Sequence, residues 1–392
     1  METTKEPQRS NEAPLAGLHL VMLTNWLWAS SVAVITAGCC RAARRLGAEA
    51  EAWALQDDGE VGDELRSEGF TVRVLGVKRH SWRWKTSKTL IDALRGGEYD
   101  GIHAHCFEPA IHASRARAAG AVPSLVVTHH DPHLTLSRRL LNRPYRHVPD
   151  AIVLSSASAG EAYRRFYGFD PKRMAVVPNP LPDAFFAPST RDEGMIDEFG
   201  LRDASPILLS VSRVARLKGH ADLMYAMRAV VDKMPSARLI VAGDGKRLPP
   251  TRELCTRLGL DGHVIFLGYR SDVTALLGLA DIFVCPSHAE VLCTSLIEAM
   301  AGGKPIVTTA VWGAVDEIED GVNGLLTPIR DPQALAEGML RLADDPELAR
   351  RLGDAVKAHA QRRVSLEAFT ANMGKVYAAT FLRERGERIR VA

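Results

Sequence analysis

The 392-residue chain lacks several features that would decide its class at once. No apolar run approaches the ~20 residues a membrane-spanning helix needs, which excludes a helical membrane protein. Six cysteines (Cys39, Cys40, Cys106, Cys255, Cys285 and Cys293) form no Cys-x-x-Cys pair and no metal-ligand spacing. Several lie in apolar runs, so buried, reduced thiols of a cytoplasmic protein are the expectation. No Gly-x-Gly-x-x-Gly follows the first strand-like run, which argues against a nicotinamide-dependent dehydrogenase. No Asp-x-Asp pair offers itself to a divalent metal. A net charge of +2 argues against a polyanion binder, and no nucleic-acid recognition fold appears. The opening METTKEPQRSNEAPL is polar and of mixed charge. It does not read as a signal peptide, and residues 1–15 are expected to form a tail without regular structure.

What remains is a soluble-type composition, 46% apolar and 24% charged, in a chain too long for a single core, so two domains are expected. Strand-like runs at 18–24, 49–54, 71–75, 101–103, 125–128, 151–154 and 175–177 alternate with helical stretches, a Rossmann-type opening. Residues 178–188 hold four prolines, which can continue neither a helix nor a central strand. The first domain is therefore placed at 16–182 and the second at 189–365. The second repeats the alternation with runs at 207–211, 239–242, 264–267, 282–285 and 306–307. A last long helix occupies 366–382, within a terminal segment of 366–392.

Residues 282–309 read IFVCPSHAEVLCTSLIEAMAGGKPIVTT and organise the second domain. A buried strand stops at Pro286, a polar loop runs to Cys293, and Thr294 or Ser295 is expected to cap a helix that ends at Gly302-Gly303. Glu290 falls on the loop and Glu298 inside the helix. A helix N-terminus attracts anions, and a nearby carboxylate can accept hydrogen bonds from sugar hydroxyls. The pattern suits a ligand that is both phosphorylated and sugar-like, although such carboxylate pairs also occur on solvated helices.

This stretch, with Glu-Ala-Met-Ala-x-Gly-x-Pro-x-Val and the turn from Asp320 to Leu326, resembles the donor-site signature of retaining glycosyltransferases of family 4. The resemblance is strongest over residues 206–345. It implies the GT-B fold: two Rossmann-like α/β/α domains with a cleft between them, the last helix crossing back to the first domain, and hinge closure about the Pro-rich linker. It implies that Glu290 faces the donor sugar and that Glu298 grips the ribose. Arg213 and Lys218, in Ser-Arg-Val-Ala-Arg-Leu-Lys-Gly after the first strand of the second domain, match the family's diphosphate-binding pair. Without the resemblance they would read as a solvated basic loop. His130, in Val-Val-Thr-His-His-Asp, matches the histidine that meets the donor sugar near its reacting carbon, with Asp131 beside it. His103 and His105 match a His-Ala-His stretch taken as architectural, the alternative being a metal site of three histidines and Asp131.

Further contacts to the substrate are assigned to Cys293, Thr294 and Ser295 at the helix start, to Gly243 in a Gly-Asp-Gly turn, and to Arg270 at a strand end. Ser30-Ser31 stand where the family often has Gly-Gly beside the phosphate, so Ser31 joins the list and acceptor geometry is altered. Val291 and Trp312-Gly313 depart from glycines in the same way. The expected activity is metal-independent, retaining transfer of a hexose-type sugar from a nucleoside diphosphate sugar, a UDP-sugar favoured, to a hydroxyl acceptor, with no cofactor. By the resemblance the acceptor attacks from the side the diphosphate leaves, so no protein base is named. A nucleotide-sugar epimerase or a catalytically silent nucleotide-sugar binder are the alternatives. The stretch VKRHSWRWKTSK, opening at Val77 and closing at Lys88, carries five Lys/Arg and two Trp. Peripheral contact with an anionic membrane face is one expectation for it, and solvated loops are the other. Arg138, Arg139, Arg143 and Arg146 add a second basic cluster.

Overall fold

The computed structural model describes residues 13–78, 84–130, 134–188 and 190–382. Asp131 and residues 79–83 of the basic stretch lie outside these. The chain divides into two compact units, one holding the chain up to Pro180 and again from Leu366, the other Leu181–Ser365.

The first unit is a seven-stranded parallel sheet. Its strands are β1 (His19–Trp26), β2 (Glu49–Asp57), β3 (Thr71–Val74), β4 (Gly101–His105), β5 (Leu125–His129), β6 (Ala151–Leu154) and β7 (Met174–Val176), in the spatial order 3-2-1-4-5-6-7. Between them run α1 (Ser31–Arg45), α2 (Glu60–Ser67), α3 (Trp84–Arg95), α4 (Phe107–Ala118), α5 (Leu136–Asn142) and α6 (Ala157–Tyr167). Strands buried on both faces need apolar side chains in both directions, which is why β6, Ala-Ile-Val-Leu, reads as a continuous apolar run. Alternate residues of β1 serve opposite cores: Leu20 and Met22 pack in one cluster, Val21 and Leu23 in the other.

The second unit holds β8 (Ile207–Val211), β9 (Arg238–Ala242), β10 (Val264–Gly268), β11 (Ile282–Cys285), β12 (Ile306–Thr309) and β13 (Leu325–Thr327), parallel in the order 10-9-8-11-12-13. Its helices are α7 (Glu193–Glu198), α8 (His220–Lys233), α9 (Leu248–Arg257), α10 (Val273–Leu279), α11 (Thr294–Ala301), α12 (Trp312–Glu317), α13 (Pro332–Asp344) and α14 (Pro346–Arg363). Ile282 and Val284 face the core shared with α8 and α13, while Phe283 and Cys285 face the core with α11 and α14. Each such buried side chain contributes about 1.5–3 kcal/mol. Strand β13 lies where the sequence suggests only the end of a turn. The turn closes through Gly321 N–H to the Gly324 carbonyl and Leu326 N–H to Asp320, which leaves Leu325 to Thr327 free to pair with β12.

The last helix, α15 (Leu366–Phe381), belongs to the first unit. Phe369, Met373, Tyr377 and Phe381 recur every fourth residue and are buried there, a single apolar stripe laid against α1. Where the chain passes between units, Leu181 donates to the Val364 carbonyl, so the outgoing and returning segments run side by side.

Candidate functional site

In both sheets the strand order reverses once, between β1 and β4 and between β8 and β11. Ligands of open α/β sheets bind at the carboxyl ends of the strands at such a reversal. In the second unit that point gathers the residues the sequence singles out.

Arg213 follows β8 and is exposed, with no hydrogen bond or ion pair among the described residues. Lys218 closes a short helical turn, and its ammonium pairs with the Glu290 carboxylate. Two features bring these residues together across 72 positions of sequence. His288 N–H donates to the Leu217 carbonyl at 2.7 Å, and Gly219, at φ +67°, lies so close to Pro286 that a Cβ there would sit 1.8 Å from its carbonyl oxygen. The side chains of His288 and Asp222 add a second tie at 2.7 Å. Gly219→Ala should therefore destabilise the fold by at least about 2 kcal/mol, through a clash with backbone and an unfavourable φ. Thermal unfolding reads this directly, and an unchanged midpoint would show that the Lys218 turn is not held against the loop.

Glu290 is buried, and Ser287 donates to it at 3.1 Å. Burial pushes its carboxyl up to about 7; Cys293 adds to the rise and Lys218 opposes it. Burial also works against the Lys218 ammonium, but Cys293 and Glu290 in front of it more than offset that, and its pKa rises. The pair thus holds a cation in a partly desolvated pocket, where it acts on a ligand anion more strongly than in water.

Helix α11 begins one residue earlier than its Ser/Thr signals suggest. Cys293 takes the cap position with extended backbone and makes no side-chain cap bond, and Thr294 and Ser295 are already helical. The Ser295 hydroxyl is occupied elsewhere, donating to the Val211 carbonyl at the end of β8 at 2.5 Å. The capping expectation for Thr294 or Ser295 is thereby corrected. The consequence favours a ligand: with no side chain capping it, this N-terminus keeps backbone N–H groups for an anion. One turn on, Glu298 is half-buried, its carboxylate has no hydrogen bond or ion pair among the described residues, and burial followed by Cys293 pushes that carboxyl up to about 7.

Gly243 follows β9, donating to the Gly268 carbonyl at 2.6 Å. Arg270 does not reach out as a free cation. It grips Asp272 with two nitrogens, one at 2.8 Å. Gly313 packs so closely on Val291 and Leu292 that a Cβ would meet the Val291 carbonyl at 2.2 Å, so this glycine fixes the loop after Glu290.

In the first unit, Ser30 caps α1, its hydroxyl accepting from Ala33 N–H, and Ser31 is the exposed first helical residue. His130 at the end of β5 pairs with His105 at 3.2 Å, and its Nδ1 has no partner. Burial lowers its pKa to about 4, so the ring is neutral at physiological pH. His103 bonds Tyr377 at 2.8 Å and Thr128 at 2.6 Å, tying α15 to β4 and β5. Cys39, His103 and His105 place ligand atoms within 4.8 Å of one another. With both His103 nitrogens engaged and burial pushing the Cys39 thiol up to about 12, these residues serve the packing of α1 and α15.

Sequence reasoning missed Ser287, Gly219 and the His288–Asp222 pair. Only the Lys-Gly dipeptide after the basic loop signalled a tight approach.

Two units, each an open parallel α/β sheet whose strand order reverses once, are the architecture of the GT-B fold. The family model described as Glycosyltransferase Family 4 matches residues 32–185, and that described as Glycosyl transferases group 1 matches residues 192–359. The chain belongs to the family 4 glycosyltransferases. It is similar to the D-inositol 3-phosphate glycosyltransferase of Streptomyces griseus, 28% identical over 306 residues, 68% of this chain and 64% of the relative. The chain spans about half to just under two thirds of the length of the first curated relatives it matches. A glycosyltransferase from Rickettsia africae shares the fold at a TM-score of 0.80 and 19% identity, over 92% of this chain and 98% of the other. HepE from Anabaena, in complex with UDP and glucose, does so at 0.78 and 20%, over 92% and 99%. Among the described residues no helix is long and apolar enough to cross a membrane.

Proposed function

We propose that the protein transfers a hexose-type sugar from a nucleoside diphosphate sugar, a UDP-sugar favoured, to a hydroxyl acceptor, with retention of configuration and without a metal. The observation that carries this is the convergence at the end of β8: Arg213, unpaired among the described residues, the Lys218–Glu290 pair and the start of α11 without a side-chain cap. Diphosphate departure builds negative charge, and preorganised cations and N–H dipoles stabilise it without reorganising. Glu298 accepts from the ribose hydroxyls, and Glu290 orients the sugar. The neutral His130 ring is available as a hydrogen-bonding group, not as an imidazolium. The complex of HepE with UDP and glucose supports a UDP-sugar donor, and the Streptomyces relative supports a polyhydroxyl acceptor.

Thermal shift against a panel of nucleoside diphosphates tests the donor site: UDP at 100 times its Kd should stabilise by about 2.7 kcal/mol. Turnover should then persist in excess chelator, and NMR of the product should show the anomeric configuration of the donor. No stabilisation by any nucleoside diphosphate would overturn the proposal, and a new sugar nucleotide formed from donor alone would favour an epimerase.

A further inference from the structure

Helix α5 breaks the rule that a surface helix turns its apolar side inward. Leu136 and Leu140 are 66% and 60% exposed, and Leu141 is exposed beside them. Residues four apart share a helix face, so Leu136 and Leu140 form one stripe. Arg139 and Arg143, also four apart and both exposed, border it. Apart from Trp84, the other large exposed apolar side chains among the described residues are scattered singly over different elements, as on any soluble surface. From residue 132 to 149 the sequence holds four arginines and no Asp or Glu.

The patch extends beyond the helix. Arg115 on α4 bonds the Tyr145 hydroxyl, three residues past the end of α5, at 3.1 Å. The same guanidinium lies 5.9 Å from the ring of Trp84, which is 61% exposed at the start of α3. Lys85 and Lys88 stand exposed beside that tryptophan. Leucines flanked by arginines, with an exposed tryptophan nearby, match the chemistry of a bilayer interface, where apolar side chains enter the acyl boundary and cations meet lipid phosphates.

We propose that this face of the first unit, built on α5 and Trp84, docks the protein on an anionic phospholipid surface. A second copy of the chain is a poorer occupant. Two-fold pairing through the patch would set its arginines against themselves, whereas anionic lipid neutralises them. The docking goes beyond the transfer reaction and does not depend on which donor or acceptor is used.

Co-sedimentation of the full chain with vesicles tests it. Binding is expected to vesicles of mixed phosphatidylglycerol and phosphatidylcholine, to weaken in high salt, and to be lost with phosphatidylcholine alone. Leu136→Ser with Leu140→Ser, and separately Arg139→Glu with Arg143→Glu, should each lower partitioning at least about tenfold. Because these side chains are exposed, donor turnover should not change, and the thermal midpoint should move only by the loss of the Arg139 guanidinium from over the Phe166 ring, 5.5 Å away, a weak contact at an exposed site. The proposal is overturned if the native chain does not bind anionic vesicles, or if either double variant binds as well as the native chain. It is also overturned if the leucine variant instead abolishes a concentration-dependent dimer.

Discussion

Lys218→Ala should lower the rate of sugar transfer by roughly 10²- to 10³-fold, the usual loss when one preorganised partner of a developing negative charge is removed. The fall should appear in kcat and in kcat/KM alike, because contact with the leaving diphosphate strengthens as the bond breaks. The variant also strands Glu290, whose carboxylate is buried and, among the described residues, otherwise bonded only by Ser287. Removing one partner of a buried pair commonly costs about 3–5 kcal/mol. Here the cost depends on pH, because burial already places this carboxyl at about 7 and without the ammonium it titrates higher still. Below that value the stranded group takes up a proton and the fold tolerates the change, and above it the midpoint should drop. Adding Glu290→Gln to Lys218→Ala should restore stability at high pH and leave turnover low, which separates the structural role of the pair from the catalytic one. Arg213→Ala makes the complementary case. The side chain is exposed and has no partner among the described residues, so stability should hold within about 0.5 kcal/mol while turnover falls. Near-native turnover in both single variants would remove the diphosphate role.

Much of this architecture was legible because parallel strands buried on both faces must be apolar throughout. Ile207 to Val211 and Ile282 to Cys285 could be little else, and the prolines after Val177 could continue no element. The residues of the site were nameable through a resemblance in their spacing. The contacts that make them a site were not. Lys218 meets Glu290 because Gly219 lets two backbones touch and a loop amide finds the Leu217 carbonyl, and neither event leaves a periodic trace. The start of α11 misled because Ser295 and Thr294 look like caps, yet Ser295 serves Val211 and a cysteine stands at the boundary. Arg270 looked like a free cation at a strand end. Its partner, Asp272, lies two residues along, where the local turn brings the two side chains together. At Lys218 and Ser295 short-range preference yields to a tertiary hydrogen bond, which a single sequence does not encode by spacing, and at Arg270 it yields to an ion pair two residues away.

Glu298 carries the second large effect, on nucleotide affinity and its dependence on pH. Burial holds its carboxyl at about 7, and it has no partner among the described residues. On the proposed assignment, ribose hydroxyls donate to it and favour the ionised form. The nucleotide sugar then selects the carboxylate, so affinity should be nearly constant above pH 7 and fall toward tenfold for each unit below it, with a proton released on binding. A nucleotide sugar is the right probe, because its diphosphate has no proton that titrates in this range. Glu290 titrates nearby, so the informative quantity is the difference between the native chain and Glu298→Gln. That variant should bind about 10- to 100-fold more weakly at pH 8, the loss expected for hydrogen bonds to a charged group, and should show a shallower pH slope. Stability without ligand supplies an independent sign. The folded pKa lies above the ordinary carboxyl value of 4.5, so the contribution of this group is fully present below the unfolded pKa and is lost as pH rises through about 7. Glu298→Gln should accordingly gain midpoint relative to the native chain between pH 5 and pH 8, although it binds nucleotide less well. Equal affinity and equal slope in calorimetry would remove the ribose assignment. A stability gain with unchanged affinity would leave Glu298 a buried carboxyl whose effect is confined to the fold.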